Sequence, residues 1–201
     1  MIRTFTLSLL MLCLLSPFSQ ADNPKATLNT NLGAIIIELY PQKAPITVAN
    51  FIRYSREGFY NNTIFHRVIP NFVVQGGGYT PKHVKKDTHA PIKNESNNGL
   101  KNMRWTLSMA RLTAPNSATS QFFINLTDNH YLNTQKSKAG YAVFAKVIDG
   151  TDVVKSIVEK PRGKFRTDAP NTPIRILSVH LDIPSDEKPD TQVLTATRVS
   201  Q

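Results

Sequence analysis

Apolar and polar residues alternate along several short segments of this chain, and a two-residue period is typical of β-strands with one buried face. Residues 26–40 show it most clearly and predict two strands joined by a turn at residues 29–33. Further strands are predicted at residues 65–75, 104–111, 120–126, 141–149 and 173–183. The residues predicted to share one face of the last strand are Leu177, Val179, Leu181 and Ile183.

A period of three to four residues replaces this alternation in two places and predicts two helices. The first lies between Pro45 and Gly58, since proline is common at a helix start and glycine at its end. The second runs from Thr151 or Asp152, either of which can cap a helix, through Val158. The residues predicted to share the apolar face of the first helix are Val48, Phe51, Ile52 and Ser55.

Many short strands with only two helices indicate a mainly β fold. An antiparallel barrel or sandwich, with the helices outside it or over its ends, satisfies this pattern. The 201 residues, 40% of them hydrophobic, suffice for one domain with a real core but not for two. The polar residues 185–201 are predicted to form a loose tail.

The first 21 residues have the three parts of a secretory signal peptide. Arg3 precedes an apolar run at residues 5–15, and Ser19 and Ala21 form the small-x-small arrangement that signal peptidase prefers. The run is too short to span a membrane, and the alternative reading is a buried N-terminal helix. Cleavage after Ala21 removes Cys13, the only cysteine, so the mature protein is expected to be held by packing alone.

The chain is strongly basic, with 24 lysines and arginines against 14 acidic residues and a net charge of +10. Such a charge raises nucleic acid as a partner. The basic residues are instead dispersed among loops and do not alternate with stacking aromatic residues, so we expect a solvated basic surface and no nucleic-acid partner. No second apolar segment is long enough to cross a membrane, so no membrane partner is expected either.

Most cofactor-dependent and hydrolytic chemistries lack their motifs. The chain has no phosphate-binding GxxxxGK[ST] and no GxSxG elbow, and its five histidines form no HxxxH pair. Glu38, Glu57 and Glu95 stand in unrelated contexts rather than in a paired-carboxylate site. The sequence therefore predicts no metal and no cofactor.

Arg67 stands near the start of a run that otherwise reads as one buried strand and ends at Gly76, Gly77 and Gly78. A guanidinium is costly to bury unless it is paired or used, and glycines allow a sharp bend or a close approach of a ligand. Rotation about an Xaa–Pro bond suits an apolar site with one charged donor, because it needs neither nucleophile nor cofactor. A donor aimed at the prolyl nitrogen weakens the amide resonance that opposes rotation.

Three blocks of the sequence resemble a known family. FHRVIPNFVVQGG closely resembles the signature of the cyclophilin peptidyl-prolyl isomerases, and SMAR…SATSQFFINL and GYAVFAKV resemble its other two conserved blocks. The blocks stand in the family's order, and the similarity covers residues 26–183. The resemblance implies a closed eight-stranded antiparallel barrel capped by two helices, and isomerisation of proline-containing polypeptides.

The resemblance also assigns site residues. It implies that Arg67 is the catalytic arginine, that Phe72 acts beside it, and that Gln75 binds substrate backbone and orients the arginine. Phe72 and Phe123 match the aromatic residues that line the proline pocket, Leu132 completes it, and Val73 replaces a methionine there. The matches in the peptide-binding groove are Ala110, Arg111 and Gln121; Arg111 replaces an asparagine, and its added charge could alter substrate preference.

Two departures from the family pattern concern drug binding and location. Tyr131 replaces a tryptophan important for cyclosporin binding, and Tyr141 replaces a histidine at the groove edge. Similar residues occur in exported bacterial cyclophilins, so we expect weak cyclosporin affinity and a periplasmic protein, with secretion as the alternative.

The mature protein is expected to be a monomer whose isomerase domain spans residues 22–184. A rival function is a proline-binding module whose turnover is incidental.

Overall fold

Eight antiparallel strands close into a barrel in the computed structural model, which describes residues 22–164 and 166–183. The strands are β1 (Lys25–Thr30), β2 (Gly33–Leu39), β3 (Thr63–Ile69), β4 (Val73–Gly76), β5 (Thr106–Met109), β6 (Phe122–Asn125), β7 (Val143–Asp149) and β8 (Arg175–Asp182). Their order around the barrel is β1-β2-β7-β5-β6-β4-β3-β8. This confirms the expected fold; the predicted signal peptide and the predicted tail lie outside the described residues.

Two α-helices, α1 (Pro45–Arg56) and α2 (Thr151–Glu159), accompany the barrel in the described part of the chain, together with a 3-10 turn at His130–Leu132. The N-terminus of α1 has no local cap. Instead the carboxylate of Glu95 accepts hydrogen bonds from the amides of Ile46 and Thr47 at 3.1 and 2.8 Å, which supplies acceptors for two of the orphan donors of the first turn. None of these helices is long and apolar enough to cross a membrane.

The helix predictions need one correction. On α1, the predicted face lies against the core, with Ile52 partly buried, and Tyr54 is fully buried as well because its ring packs against Phe59 at a centroid distance of 4.6 Å. On α2, neither Thr151 nor Asp152 caps the helix. Gly150 is the N-cap residue, with a φ of +79° that favours glycine.

The predicted single strand at residues 65–75 is wrong, because β3 and β4 form an antiparallel hairpin across this stretch. Pro70 begins the turn, and Asn71 adopts a φ of +58°, a conformation that asparagine tolerates better than most residues. The register shifts by one residue between Phe65 and Arg67. This bulge places Arg67 directly opposite Gln75, so the two side chains share a face of the hairpin.

A second bulge corrects the alternation predicted for β8. Asn29 pairs with Ser178, but the next residue, Thr30, pairs with Ile176, which leaves Leu177 as the extra residue. Leu177 is accordingly 42% exposed, and Ile176 is buried in its place. Beyond the bulge, Val179 and Leu181 are partly buried against the core.

The barrel core explains two of the three glycines. Large aromatic rings meet inside it, and a Cβ on Gly77 would lie 2.9 Å from both Phe122 and Tyr60. Gly77 also has a φ of +80°. A Cβ on Gly76 would lie 2.8 Å from the ring of Phe65. These glycines let the end of β4 pass close to the aromatic core.

Candidate active site

A small apolar cluster lies outside the barrel core and forms a cup. Val73, Phe123 and Leu132 are its buried members. In β4 and β6 successive side chains point to opposite faces, so Val74 and Phe122 enter the core while Val73 and Phe123 face the cup. The partly buried residues that pack against the cup are Phe72, Ala110 and Tyr141.

Arg67 lies beside this cup with its guanidinium held on two nitrogens. Its Nε donates to Oδ2 of Asp168 at 3.2 Å, and its Nη1 donates to Oε1 of Gln75 at 3.3 Å. The guanidinium carbon also lies 5.7 Å from the ring centroid of Phe72. An arginine has five N–H donors, so its remaining Nη donors have no hydrogen-bond partner among residues 22–164 and 166–183. With its side chain 32% exposed, Arg67 can offer those donors to a bound peptide.

Gln75 connects the arginine to the neighbouring strand. Its Nε2 donates to Oε1 of Gln121 at 3.0 Å, while its Oε1 accepts from Arg67. The amide therefore has one orientation that satisfies both neighbours. Arg67, Gln75 and Gln121 form a continuous row of polar side chains along the rim of the cup.

The main chain beside the cup lies at residues 110–112, at the end of β5. The amide of Ala110 donates to the carbonyl of Gln121 at 2.9 Å, which continues the pairing of β5 with β6. The side chain of Arg111 turns to the adjacent loop. Its donors reach the carbonyls of Leu112, Thr113, Ala139 and Gly140, and its guanidinium carbon lies 4.7 Å from the ring centroid of Tyr141. The charge of Arg111 thus joins two loops at the edge of the cup.

Two aromatic pairs border the cup. The rings of Phe72 and Tyr131 are stacked with centroids 5.8 Å apart, and those of Phe123 and Tyr141 meet edge to face at 5.6 Å. Tyr131 is 57% exposed, so its ring is an accessible part of this surface. The structure therefore brings every residue predicted for the site to one face of the barrel.

A buried network of asparagines supports this face, and the sequence analysis did not identify it. Asn129 donates from its side chain to the carbonyl of Phe72 at 3.1 Å and to Oδ1 of Asn125 at 2.8 Å. Asn102 accepts from the amide of Asn125 and from Ser108. These satisfied polar groups fix the backbone at Phe72 and at the 3-10 turn that carries Leu132.

Asp168 is a further residue of this site that was not identified from the sequence. It lies 101 positions from Arg67, in a loop without a recognisable local motif. Only the folded barrel brings this loop beside β3, so no local pattern could have revealed the contact.

His66 lies next to Arg67 in sequence but packs away from the cup. Its ring lies 4.5 Å from that of Tyr79, and the residue is buried. Burial lowers the pKa of His66 from 6.5 to about 4, so the ring is neutral at neutral pH.

The site thus combines an apolar cup, the fixed guanidinium of Arg67 with its free N–H donors, and the main chain at residues 110–112. This combination can hold a five-membered apolar ring while a charged donor faces the amide that carries it. Among the described residues, no group of three or more His, Cys, Asp or Glu is placed to hold a metal ion.

Comparisons with known proteins agree with this chemistry. The family described as "Cyclophilin type peptidyl-prolyl cis-trans isomerase/CLD" matches residues 25–181. The chain is 54% identical over 158 residues to peptidyl-prolyl cis-trans isomerase B of Escherichia coli, covering 76% of this chain and 96% of that protein. It is 53% identical over 161 residues to a peptidyl-prolyl cis-trans isomerase of Acinetobacter baylyi, covering 79% and 86%.

A solved structure shares the fold. The crystal structure of a cyclophilin-type isomerase from Cryptosporidium parvum superposes with a TM-score of 0.71 at 30% identity, covering 80% of this chain and 98% of that one. A second structure of that isomerase was determined in the presence of the dipeptide Ala-Pro and has a TM-score of 0.70. The chain belongs to the cyclophilin family and is a peptidyl-prolyl cis-trans isomerase.

Proposed function

We propose that this cyclophilin isomerises Xaa–Pro bonds of exported polypeptides, with Arg67 as the catalytic donor and the cup of Val73, Phe123 and Leu132 as the prolyl pocket. The observation that carries the proposal is the placement of Arg67. Its guanidinium is held on Nε and Nη1 beside the cup, and its remaining donors have no partner among the described residues.

The chemical step needs only stabilisation of a twisted amide. The rotation barrier of about 18–20 kcal/mol comes from the nitrogen lone pair that is delocalised into the carbonyl. In the twisted state this lone pair returns to the nitrogen and can accept a hydrogen bond from Arg67. Acceleration from tens of seconds to milliseconds is a factor of about 10⁴, or roughly 5.5 kcal/mol. A charged hydrogen bond supplies about 1.5–3 kcal/mol, and selective binding of the twisted form supplies the rest.

The other residues of the rim bind and orient the substrate. Gln75 orients Arg67 through their hydrogen bond, and Phe72 packs against the guanidinium. The main chain at Ala110 and Arg111 and the side chain of Gln121 line the groove for the peptide, and Tyr131 and Tyr141 border it. The occupant is a proline-containing polypeptide, in keeping with the Ala-Pro dipeptide named for the Cryptosporidium parvum isomerase.

Export rests on residues 1–21, which have the charge, apolar run and small residues of a signal peptide. The mature protein then begins at Asp22 and acts in the periplasm on proteins that fold there. N-terminal sequencing of the protein recovered from fractionated cells tests this. A periplasmic product that starts at Asp22 supports export, whereas an uncleaved cytoplasmic chain contradicts it, and recovery from the medium indicates secretion.

The test of the catalytic role is the cis–trans exchange rate of a proline tetrapeptide, measured by NMR with the native protein and with Arg67→Ala. Arg175→Ala is the matched control, because it removes an equal charge from an exposed position on β8. We expect acceleration by the native protein and the control, and its loss in Arg67→Ala. If all three proteins bind the peptide and none accelerates its exchange, the protein is a proline-binding module. Full activity of Arg67→Ala would refute the catalytic role of Arg67.

A further inference from the structure

We propose that Asp168 is a positioning residue for the isomerase reaction, holding the guanidinium of Arg67 in its productive orientation. This inference rests on the catalytic role proposed for Arg67. Among the described residues, no hydrogen bond or ion pair joins Asp168 to the cup or to Ala110, Arg111 or Gln121, so it acts through the arginine rather than on the peptide.

The contact between the two side chains is a charged hydrogen bond. Nε of Arg67 lies 3.2 Å from Oδ2 of Asp168, and the two side chains are 32% and 22% exposed. The second oxygen, Oδ1, lies 3.4 Å from Nε of Arg166, whose own side chain is 66% exposed. The carboxylate therefore bridges an arginine beside the cup and an arginine at the surface, and only the first is held on a second side by Gln75.

The loop that carries Asp168 is fastened to the strand that carries Arg67. The carbonyl of Asp168 accepts a hydrogen bond from the amide of Val68 at 2.7 Å, one residue after Arg67. The following residue, Ala169, is fully buried, and its amide donates to the carbonyl of Arg166 at 3.0 Å. Main-chain contacts thus set the position of the carboxylate relative to β3.

Two acceptors on different nitrogens fix the plane of a guanidinium, whereas one acceptor leaves it free to turn. Asp168 occupies Nε and Gln75 occupies Nη1, so the free donors all lie on the Nη atoms. A donor that is oriented before the reaction needs no reorganisation when the amide twists. Without Asp168, Gln75 alone would hold the arginine, and the neutral amide is the weaker partner.

The test compares Asp168→Ala and Asp168→Asn with the native protein. We expect Asp168→Ala to lower kcat about tenfold with KM changed less than about twofold, because an interaction that matters in the transition state is weakened. Asp168→Asn should keep kcat within about threefold, because its Oδ1 can still accept from Nε of Arg67. Asp182→Ala, which removes an exposed carboxylate from β8, is the matched control and should change neither constant.

A further NMR measurement separates this inference from the proposed role of Arg67. In the native background Asp168→Ala should shift the Nε–Hε resonance of Arg67, whereas the control Asp182→Ala should leave that resonance unchanged. Full kcat in folded Asp168→Ala, with Arg67→Ala inactive, overturns the positioning role alone. Full activity of Arg67→Ala overturns both. If Asp168→Ala does not fold, the inference rests on Asp168→Asn. A folded Asp168→Asn protein whose kcat falls by much more than about threefold overturns the inference.

Discussion

Gly78 lies directly beneath the side chain of Gln121. A Cβ added to Gly78 would overlap Cγ of Gln121 and lie 2.7 Å from its Cδ. Gln121 in turn accepts a hydrogen bond from Gln75, and Gln75 accepts one from Arg67. The absence of a side chain at Gly78 therefore contributes to the position of the arginine on the neighbouring strand.

Substitution of Gly78 by alanine should displace Gln121 and weaken this row of hydrogen bonds. We expect the free energy of unfolding to fall by about 1–3 kcal/mol, as for an overpacked site, and kcat/KM to fall about tenfold. Urea unfolding and the peptide exchange assay measure the two effects.

Gln121→Ala in the same chain provides the control for this prediction. It removes the atoms that the new methyl group would meet, so Gly78→Ala/Gln121→Ala should regain most of the stability but not the activity. Equal instability of the double variant would show that Gly78 is constrained by something other than Gln121.

His66 should make the protein sensitive to acid. Its pKa is lowered by burial to about 4 in the folded protein, against 6.5 in the unfolded chain. Between these values the unfolded state binds more protons than the folded state. The contribution of His66 to the free energy of unfolding is therefore fully present above pH 6.5 and is lost as the pH falls toward 4. The shift corresponds to about 3 kcal/mol over that window.

Urea unfolding of the native protein and of His66→Gln at pH 7.5 and 4.5 measures this contribution. The native protein should lose about 2–3 kcal/mol more than the variant between the two pH values. His180→Gln, at an exposed position on β8, is the control and should follow the native protein. Parallel losses in native protein and His66→Gln would contradict the burial effect.

Arg111 should act as a clamp between two loops rather than as a charge that selects substrates. Its donors already bind four main-chain carbonyls, so Arg111→Ala should cost about 1–2 kcal/mol of stability and speed amide hydrogen exchange at residues 137–140. Arg111→Lys keeps the charge but not the planar set of donors, and it should loosen the loop similarly. A lysine variant that preserves loop protection, or an alanine variant that loses preference for acidic peptides, would argue for the charge.

Cyclosporin should bind weakly, because tyrosines occupy the positions of the family's tryptophan and histidine at the edge of the cup. Tyr131 is exposed and stacked on Phe72, so a larger ring can be accommodated there. Tyr131→Trp should increase cyclosporin affinity about tenfold through its larger contact area. Inhibition of the native protein as tight as that of the common cytosolic animal cyclophilins would refute this prediction.

The alternation predicted a mainly β fold, because it reports directly on which strand face is buried, and the resemblance to the cyclophilins then implied a closed barrel rather than a sandwich. The prediction failed where a bulge changes the alternation. Leu177 was predicted to face inward. It is instead the extra residue of the bulge opposite Asn29 and Thr30, and its side chain is exposed. The hairpin between β3 and β4 was missed because Pro70 and Asn71 interrupt a run that is apolar on both sides.

The site was predicted unequally for a similar reason. Arg67, Phe72 and Gln75 lie within nine residues, so a local motif could reveal them. Asp168 and Asn129 reach the site only through the closure of the barrel, and their contacts depend on which loops become neighbours. Long-range polar contacts of this kind leave no periodic pattern in the chain.

A crystal structure of the mature protein with a short Xaa–Pro peptide would test the role of Arg67 most directly. We expect the prolyl ring to lie between Val73, Phe123 and Leu132, with an Nη atom of Arg67 facing the prolyl nitrogen and Nε still bound to Asp168. A prolyl ring seated elsewhere, or a guanidinium turned away from the peptide, would contradict this expectation.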